Sequence, residues 1–317
     1  MERNKIKKYD LILTADWHIR SDVPENRIDD FLAKQERKID FILDMSNNYY
    51  CPIVIAGDIG DKPKWENWLL EKYIKKFRNH RQKIYVLPGQ HDLPNHRLDK
   101  LPESGLGVLT ASKAVILLGK FFPVRLEDTT LKHIGYIYGF PFGQNINCPT
   151  HEPKKIKAIA VIHQLVSQSK LWKGQQNFTS AKSLLKKFPD YDLIVSGDNH
   201  QSFIEKYKDQ LLVNPGSIVR STIAQFDHKP KIYLWGAENN EVKEIEIPIK
   251  PSKEVFDLSM MKRQDKRDER MSAFVESLKS DCEFKMGFKD NLNKFLNENK
   301  IEQGVKDKIF MALEGKE

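Results

Sequence analysis

Short apolar runs alternate with stretches of helical spacing along the first hundred residues. Tyr9–Ala15 reads as a buried strand, Pro52–Ala56 as a second and Ile84–Leu87 as a third, the last ended by Pro88-Gly89. Between the first two strands, Ile28, Phe31, Leu32, Ile39, Phe41, Ile42 and Leu43 recur at roughly helical spacing up to a turn-prone Asn47-Asn48. Between the second and third, the spacing predicts a helix over Trp65–Phe77 with Trp68, Leu69, Tyr73, Ile74 and Phe77 on one face. Strand-helix-strand-helix-strand order implies a parallel sheet whose site lies at the carboxyl ends of its strands.

After Ser112 the pattern turns strand-rich. It predicts strands over Ala114–Leu118, Ile134–Gly139, Ile156–Ile162, Leu193–Ser196, Gln201–Glu205, Leu211–Val213, Lys231–Leu234 and Glu241–Ile247, with one helix over Ser180–Phe188. Residues 1–248 are therefore expected to form an α/β domain of mixed β-sheets layered with helices. Beyond Pro251 the character changes. Glu254–Leu258 is compatible with one more strand, and a charged helix is expected from about Lys262 to Leu278. The tail, residues 283–317, carries Phe288, Leu292, Phe295 and Leu296, then Ile301, Val305, Ile309, Phe310 and Leu313, as two short amphipathic helices. These either dock on their own domain or offer a helical hairpin to a partner, since two short helices hold too little core to stand alone.

Hydrophobic residues make up 40% of the 317 and charged residues 30%, a soluble globular composition. No apolar run approaches the roughly 20 residues that span a bilayer. Cys51, Cys148 and Cys282 lack metal-type spacing and are odd in number, so no disulfide framework and a reducing, cytoplasmic setting are expected. The net charge of +8 falls wholly in the first 250 residues, because residues 251–317 carry 14 basic and 14 acidic side chains. A basic body favours a polyanionic partner through phosphate contacts.

Five loops that follow predicted strands hold metal-capable residues: Asp16-Trp17-His18, Gly57-Asp58, Gly89-Gln90-His91-Asp92, His163, and Gly197-Asp198-Asn199-His200. Strand ends of one sheet share an edge, so ligands distant in sequence can meet there. Carboxylate and imidazole together suit divalent first-row ions. Gly-Asp after a strand is usually only a turn; five such loops in series point to a site. His80, His96, His133, His151 and His228 read as surface or loop histidines, and Trp65 and Trp68 as core. The run Lys262, Arg263, Lys266, Arg267 and Arg270 is interleaved with Asp265, Asp268 and Glu269 and reads as a solvated helix face.

The series resembles the D-x-H, G-D, G-N-H-D, H, G-H-x-H pattern of the calcineurin-like metallophosphoesterases over about residues 9 to 247. Within that superfamily, Asn214-Pro215-Gly216-Ser217 and the stretch Ile247-Pro248-Ile249 resemble the SbcD-type DNA nucleases. The resemblance implies one metal held by Asp16, His18, Asp58 and His200, and a second by Asp58, His163, Gln90 and Asp198, with Asp58 bridging. It implies that His91 protonates the departing sugar oxygen and that Asp92 orients the His91 imidazole. It further implies a small DNA-facing cap-like segment at 249–282, and binding of an SMC-like, SbcC-type ATPase by the C-terminal helices. A homodimer is compatible with it, and a membrane is not involved. Gln90 stands where the family has Asn, Asp198 where it has His, and Asp61 where SbcD-type nucleases usually have His. The carboxylate at 198 makes the donor set harder, favouring two manganese, or magnesium, ions over zinc. The expected function is thus a two-metal phosphodiesterase acting on DNA as exo- or endonuclease in recombination and repair. The alternatives are a small-molecule phosphodiesterase of the same fold, or a DNA-end-binding scaffold whose second metal site is degenerate.

Overall fold

In the computed structural model, the described residues are 9–119, 123–128, 132–150, 156–169 and 178–257, together with Ser259, Leu292, Leu296, Asn297 and 303–306. The chain divides into two compact units, residues 1–257 and 258–317.

The first unit begins β1 (Leu11–Thr14), α1 (Phe31–Tyr49), β2 (Ile53–Ile55), α2 (Asn67–Arg78), β3 (Ile84–Val86), α3 (Gly105–Ala111) and β4 (Ile116–Leu117). It continues β5 (Val124–Glu127), β6 (His133–Phe140), β7 (Lys157–His163), β8 (Val166–Ser167), β9 (Thr179–Ser180) and α4 (Ala181–Lys187). It closes with β10 (Leu193–Gly197), β11 (Phe203–Tyr207), β12 (Gln210–Asn214), β13 (Lys231–Gly236) and β14 (Glu241–Glu246). Two six-stranded mixed sheets result, ordered β14-β13-β1-β2-β3-β4 and β11-β12-β10-β7-β6-β5, plus the small β8-β9 pair. As expected, β1, β2 and β3 run parallel, with Ile12 opposite Ile53 and Ile53 opposite Ile84.

The period-two alternation of strand side chains explains the layering. Ile12, Ile53, Ile55, Ile84 and Val86 face out of the first sheet and pack with Phe31, Ile39, Ile42, Leu69, Tyr73 and Phe77 of α1 and α2. Their neighbours Leu11, Leu13, Val54 and Tyr85 point the other way and meet Ile159, Val161, Leu193 and Val195 of the second sheet. That sheet's outer residues, among them Ala158, Ala160 and Ile194, take α4 through Ala181, Leu184 and Leu185. Each fully buried side chain of the Leu or Phe class stabilises the fold by about 1.5–3 kcal/mol. Central strands buried on both faces therefore read as unbroken apolar runs, as β1, β2, β7 and β10 do.

Several details differ from expectation. Helix α1 starts at Phe31, capped by Asp30, whose side chain accepts from Ala33 N at 3.2 Å, so Ile28 lies before it and is 62% exposed. The helix runs through Asn47-Asn48 and stops at Tyr50, which is left-handed at φ 54°. Trp65 is core, but Trp68 is 51% exposed and is not. Helix α3, seven residues with two glycines, and strand β5, four residues, are too short for periodicity to mark. At Glu254–Leu258 a 3₁₀ turn, Ser252–Glu254, leads to a single bridge between Phe256 and Arg27 rather than a strand.

Of the second unit, Ser259, Leu292, Leu296, Asn297 and residues 303–306 are helical, and Lys306 Nζ donates to Asn297 Oδ1 at 2.7 Å. The expected charged helix with its basic run, and most of the tail including Phe288, Phe295, Ile309, Phe310 and Leu313, lie outside the described residues, as do His151 and Cys282. Among the described residues no helix is long and apolar enough to cross a membrane.

Candidate metal centre

Loops from the two sheets are sewn together where β1, β2, β3, β7 and β10 end. Asp16 N donates to Gly57 O at 3.1 Å and His18 N to Asp58 O at 3.0 Å, extending the β1–β2 pairing past both strands. Asp198 N donates to Asp16 Oδ1 at 3.1 Å, which joins the β10 loop to the β1 loop. A Cβ on Gly57 would collide with the His163 ring, and one on Gly89 with the Asp58 carboxylate; both loops need glycine for this approach. Asp16, His18, Asp58 and Asp198 all hold left-handed backbones, at φ 50°, 45°, 51° and 79°. Such conformations cost a non-glycine residue about 1–3 kcal/mol each and cluster at functional sites.

Five of the seven expected ligands, Asp16, His18, Asp58, His163 and His200, cluster here, whereas Asp198 enters no such cluster and is bonded to Gln90. Three groups offer ligand atoms within 4.8 Å of one another: Asp16, His18 and His200; Asp16, Asp58 and His163; and His18, Asp58 and His91. His18 Nε2 and His200 Nε2 lie 3.1 Å apart. Gln90 Nε2 donates to Asp198 Oδ1 at 2.6 Å, which fixes the amide and leaves its Oε1 buried with no partner. Asp16 Oδ2, His18 Nδ1, Asp58 Oδ2 and His163 Nε2 are likewise buried and without a hydrogen-bond partner. Five such atoms in one place would cost several kcal/mol if nothing compensated them. Carboxylate and amide oxygens and imidazole nitrogens are the donors that divalent cations take, so the residues present fit the metal centre that the pattern implies.

The electrostatics leave His18 ready to ligate and His163 with a proton that a bound cation would displace. Burial, with the carboxylates of Asp58 and Asp198 adding to it against the pull of His163, holds Asp16 well above the usual carboxylate range. Burial would also raise Asp58, but the charge and contact of His163, with help from His18 and His91, bring it down to about 2. Burial likewise works against protonation of His163, yet Asp58 and then Asp16 lift it to about 10. His163 Nε2 faces Asp58 Oδ2 at 3.3 Å as an ion pair without an aligned hydrogen bond. Burial first, then the neighbouring histidines, lowers His18 to about 3, so it is neutral, as a ligand must be. His163 Nδ1 donates to Ala56 O at 2.7 Å, which aims the other ring nitrogen into the centre.

His91 is exposed at the rim, its backbone N donating to Asp58 Oδ1 at 2.9 Å and its Nδ1 to Asp61 O at 2.8 Å. The expected pairing of Asp92 with His91 is not formed. The two residues sit on one turn of 3₁₀ helix, Gln90–Asp92, and Asp92 points inward. Its carboxylate accepts from Gly60 N at 2.9 Å, Gly89 N at 3.0 Å and Ile59 N at 3.3 Å, tying the β2 loop to the β3 loop. The Asp61 carbonyl, not the Asp92 carboxylate, orients the imidazole.

Three residues beyond the predicted set support the centre. Ser217 Oγ donates to Asp16 O at 3.0 Å. Asn214 accepts from Ser196 Oγ at 2.8 Å and donates to Asn199 O at 2.6 Å and Gln201 O at 2.8 Å. Gln225 accepts from Ser221 N at 2.7 Å, so its amide nitrogen is the group lying 3.1 Å from His200 Nδ1. Asn214 and Ser217 stood out in the sequence as part of a loop motif. Gln225, far from any strand end, carried no signal.

Residues 9–202 match the family model described as calcineurin-like phosphoesterase. No curated protein matches the chain. Among solved structures, an archaeal phosphodiesterase is similar at 17% identity and TM-score 0.39, over 74% of this chain and 98% of that one. The phosphopantetheinyl hydrolase of Mycobacterium tuberculosis is similar at 10% identity and TM-score 0.40, over 74% and 95%. A hypothetical protein of Pyrococcus horikoshii OT3 gives 14% identity and TM-score 0.39, over 82% and 93%.

Proposed function

The chain belongs to the calcineurin-like phosphoesterases, metal-dependent hydrolases of phosphoesters, and from that premise we propose that it is a two-metal phosphodiesterase whose substrate is DNA. The observation that carries the two-metal part is the set of five buried atoms without a hydrogen bond, drawn from Asp16, His18, Asp58, Gln90 and His163, of which Asp58 Oδ2 and His163 Nε2 meet only as an ion pair. They come from both expected ligand sets, which supports a working second set over a relictual one. The Gln90–Asp198 hydrogen bond favours this over a degenerate site, because it turns the amide oxygen away from Asp198 and leaves it free. The DNA part is supported by the +8 charge carried by residues before 251.

Asp16, His18, Asp58 and His200 would hold one ion, and Asp58, His163, Gln90 and Asp198 the other. Two bound divalent ions supply positive charge that lowers the pKa of a water for in-line attack and neutralises the phosphoryl oxygens. The protein's part is positional. Asp58 is held between the two sets by the His91 backbone N on one oxygen and His163 on the other. His91, with Nδ1 committed to Asp61 O, keeps Nε2 for the departing sugar oxygen, and its exposure lets a polymer reach it. The oxygen-rich set favours manganese or magnesium. The SbcD-like role, with an SMC-like ATPase engaging the C-terminal helices, belongs to the same proposal and rests on the loop and tail resemblances.

Turnover on linear DNA and on bis-p-nitrophenyl phosphate, each with manganese, magnesium or zinc, tests it. Expected is manganese-dependent DNA cleavage that His91→Ala abolishes while DNA binding persists. Turnover of the small ester alone would move the substrate to small diesters. Loss of binding together with cleavage in His91→Ala would count against the assigned role.

A further inference from the structure

Helix α1 presents a basic face on its way past the core. Lys34, Arg37, Lys38 and Phe41 are spaced i, i+3, i+4 and i+7, so they share one side of the helix. That side lines a cleft of about 360 Å³, where Arg27, Arg220 and Lys250 join it. Among the described residues six of those lining it are therefore basic, and Asp29 is the single acidic one. None is a candidate metal ligand.

The inner cations are buried: Arg220 is 2% exposed, Lys38 7% and Arg27 8%. Arg27 is spent, with Nε and Nη2 donating to Asp29 at 2.8 Å each and Nη1 to Arg220 O at 2.5 Å. Lys38 Nζ donates to Ile218 O at 2.9 Å. An ammonium has three donors, and Ile218 O uses one. Arg220 gives Nη1 to Ser252 Oγ and Nη2 to Lys250 O, while its buried Nε has no partner. Burial, then the charges of Arg220 and Arg27, push Lys38 down to about 7, with Asp29 too weak a counterweight. Like charges gathered out of water with a donor unfilled are costly unless an anion joins them. The rim adds Lys34 and Arg37, and the walls add Phe41, Pro248 and Ile249.

We propose that this Arg27–Lys38–Arg220 cleft is a second anion site, separate from the metal centre, which takes a phosphate group, free or carried by a nucleotide. With Arg27 committed to Asp29, the donors left for a phosphate are Arg220 Nε and the remaining Lys38 ammonium hydrogens inside, with Lys34 and Arg37 at the rim. The cleft is of the size that small ligands occupy, and its apolar wall suits a base or sugar attached to that phosphate. The proposal stands apart from the reading of the metal centre and needs no DNA substrate.

The test is calorimetric titration of the full chain, kept in chelator so that no metal-bound phosphate contributes, with inorganic phosphate, adenosine monophosphate and adenosine. Saturable phosphate binding is expected, weakened about tenfold or more in Arg37→Glu and Lys34→Glu, since a lost charge-assisted contact is worth about 1.5–3 kcal/mol. His163→Ala should bind as the parent does. Tighter binding of the monophosphate than of phosphate identifies a nucleotide as the source, and equal binding identifies free phosphate. Lys38→Met probes the inner wall; the rim variants decide the matter if it fails to fold. Absence of saturable binding, or binding that survives both rim variants and disappears in His163→Ala, overturns the proposal.

Discussion

Replacing Asp92 separates two roles for a carboxylate beside the rim histidine. Its oxygens accept three backbone N–H groups, from Gly60, Gly89 and Ile59, in a position 2% exposed. Asp92→Ala leaves these donors buried and unfilled, at about 1–3 kcal/mol each. Counting only the two shorter bonds gives a loss of about 2–6 kcal/mol, a large share of the roughly 5–15 kcal/mol that a domain possesses. At about 2–4 °C per kcal/mol, the melting temperature should fall by roughly 10 °C. Asp92→Asn keeps one accepting oxygen and should lose about half as much. Activity discriminates further. A carboxylate that orients a catalytic imidazole costs about 10⁴ in kcat when changed to the amide. A cross-tie between backbone loops does not, so Asp92→Asn should retain kcat within about tenfold. Urea unfolding and turnover of bis-p-nitrophenyl phosphate at 15 °C measure both quantities. Parental stability with kcat collapsed in Asp92→Asn would show that the carboxylate works through His91 and refute the cross-tie.

Other outcomes follow from the same geometry. Metal analysis after loading with manganese should find two ions per chain, and His163→Ala should reduce this to one. Gly57→Ala should lower stability by at least about 1 kcal/mol and lose activity, because the new methyl meets the His163 ring in a backbone at φ 92°. Trp17→Ala should cost about 3–5 kcal/mol in urea unfolding, since the ring is fully buried and its Nε1 donates to Thr14 Oγ1 at 2.9 Å. Burial lowers His228 from 6.5 to about 4, so between those values the unfolded chain binds the proton and the folded chain does not. This group's contribution is therefore present above 6.5 and lost as pH falls toward 4. His228→Asn should remove about one proton from the pH slope of stability in that window, and an unchanged slope would show the ring to be protonated in the fold.

Where the sequence was legible, the reason is that one physical rule governed the position. Strands β1, β2, β7 and β10 are buried on both faces, so apolar run length alone located them. The ligand candidates end or follow these strands and β3, so chain order became spatial neighbourhood. Asp92 escaped because adjacency in sequence says nothing of direction within a 3₁₀ turn, where His91 faces out and its neighbour faces in. Trp68 escaped because spacing assigned it to a helix face whose edge is open to solvent. Gln225 reaches His200 from a turn without periodicity, and only the fold brings them together. The cation cleft was half visible as helical spacing in α1, but Arg27 and Arg220 enter it from unrelated loops.

The left-handed backbones at Asp16, His18, Asp58 and Asp198 carry a consequence for anyone seeking a sturdier version of this protein. Glycine at any of them would relieve about 1–3 kcal/mol of backbone strain and remove a donor from the centre. At Asp16, Asp58 and Asp198 it would also break the bonds to Asp198 N, to His91 N and His163, and to Gln90, respectively. Selection for heat resistance alone, carried out in chelator, would therefore drift toward glycine most readily at His18, whose side chain ties down no backbone N–H, and dismantle the catalyst there first. The same screen run in manganese would hold His18 fixed, so the pair of screens would separate by divergence a residue the fold keeps only for its metals from the three carboxylates that also brace the loops.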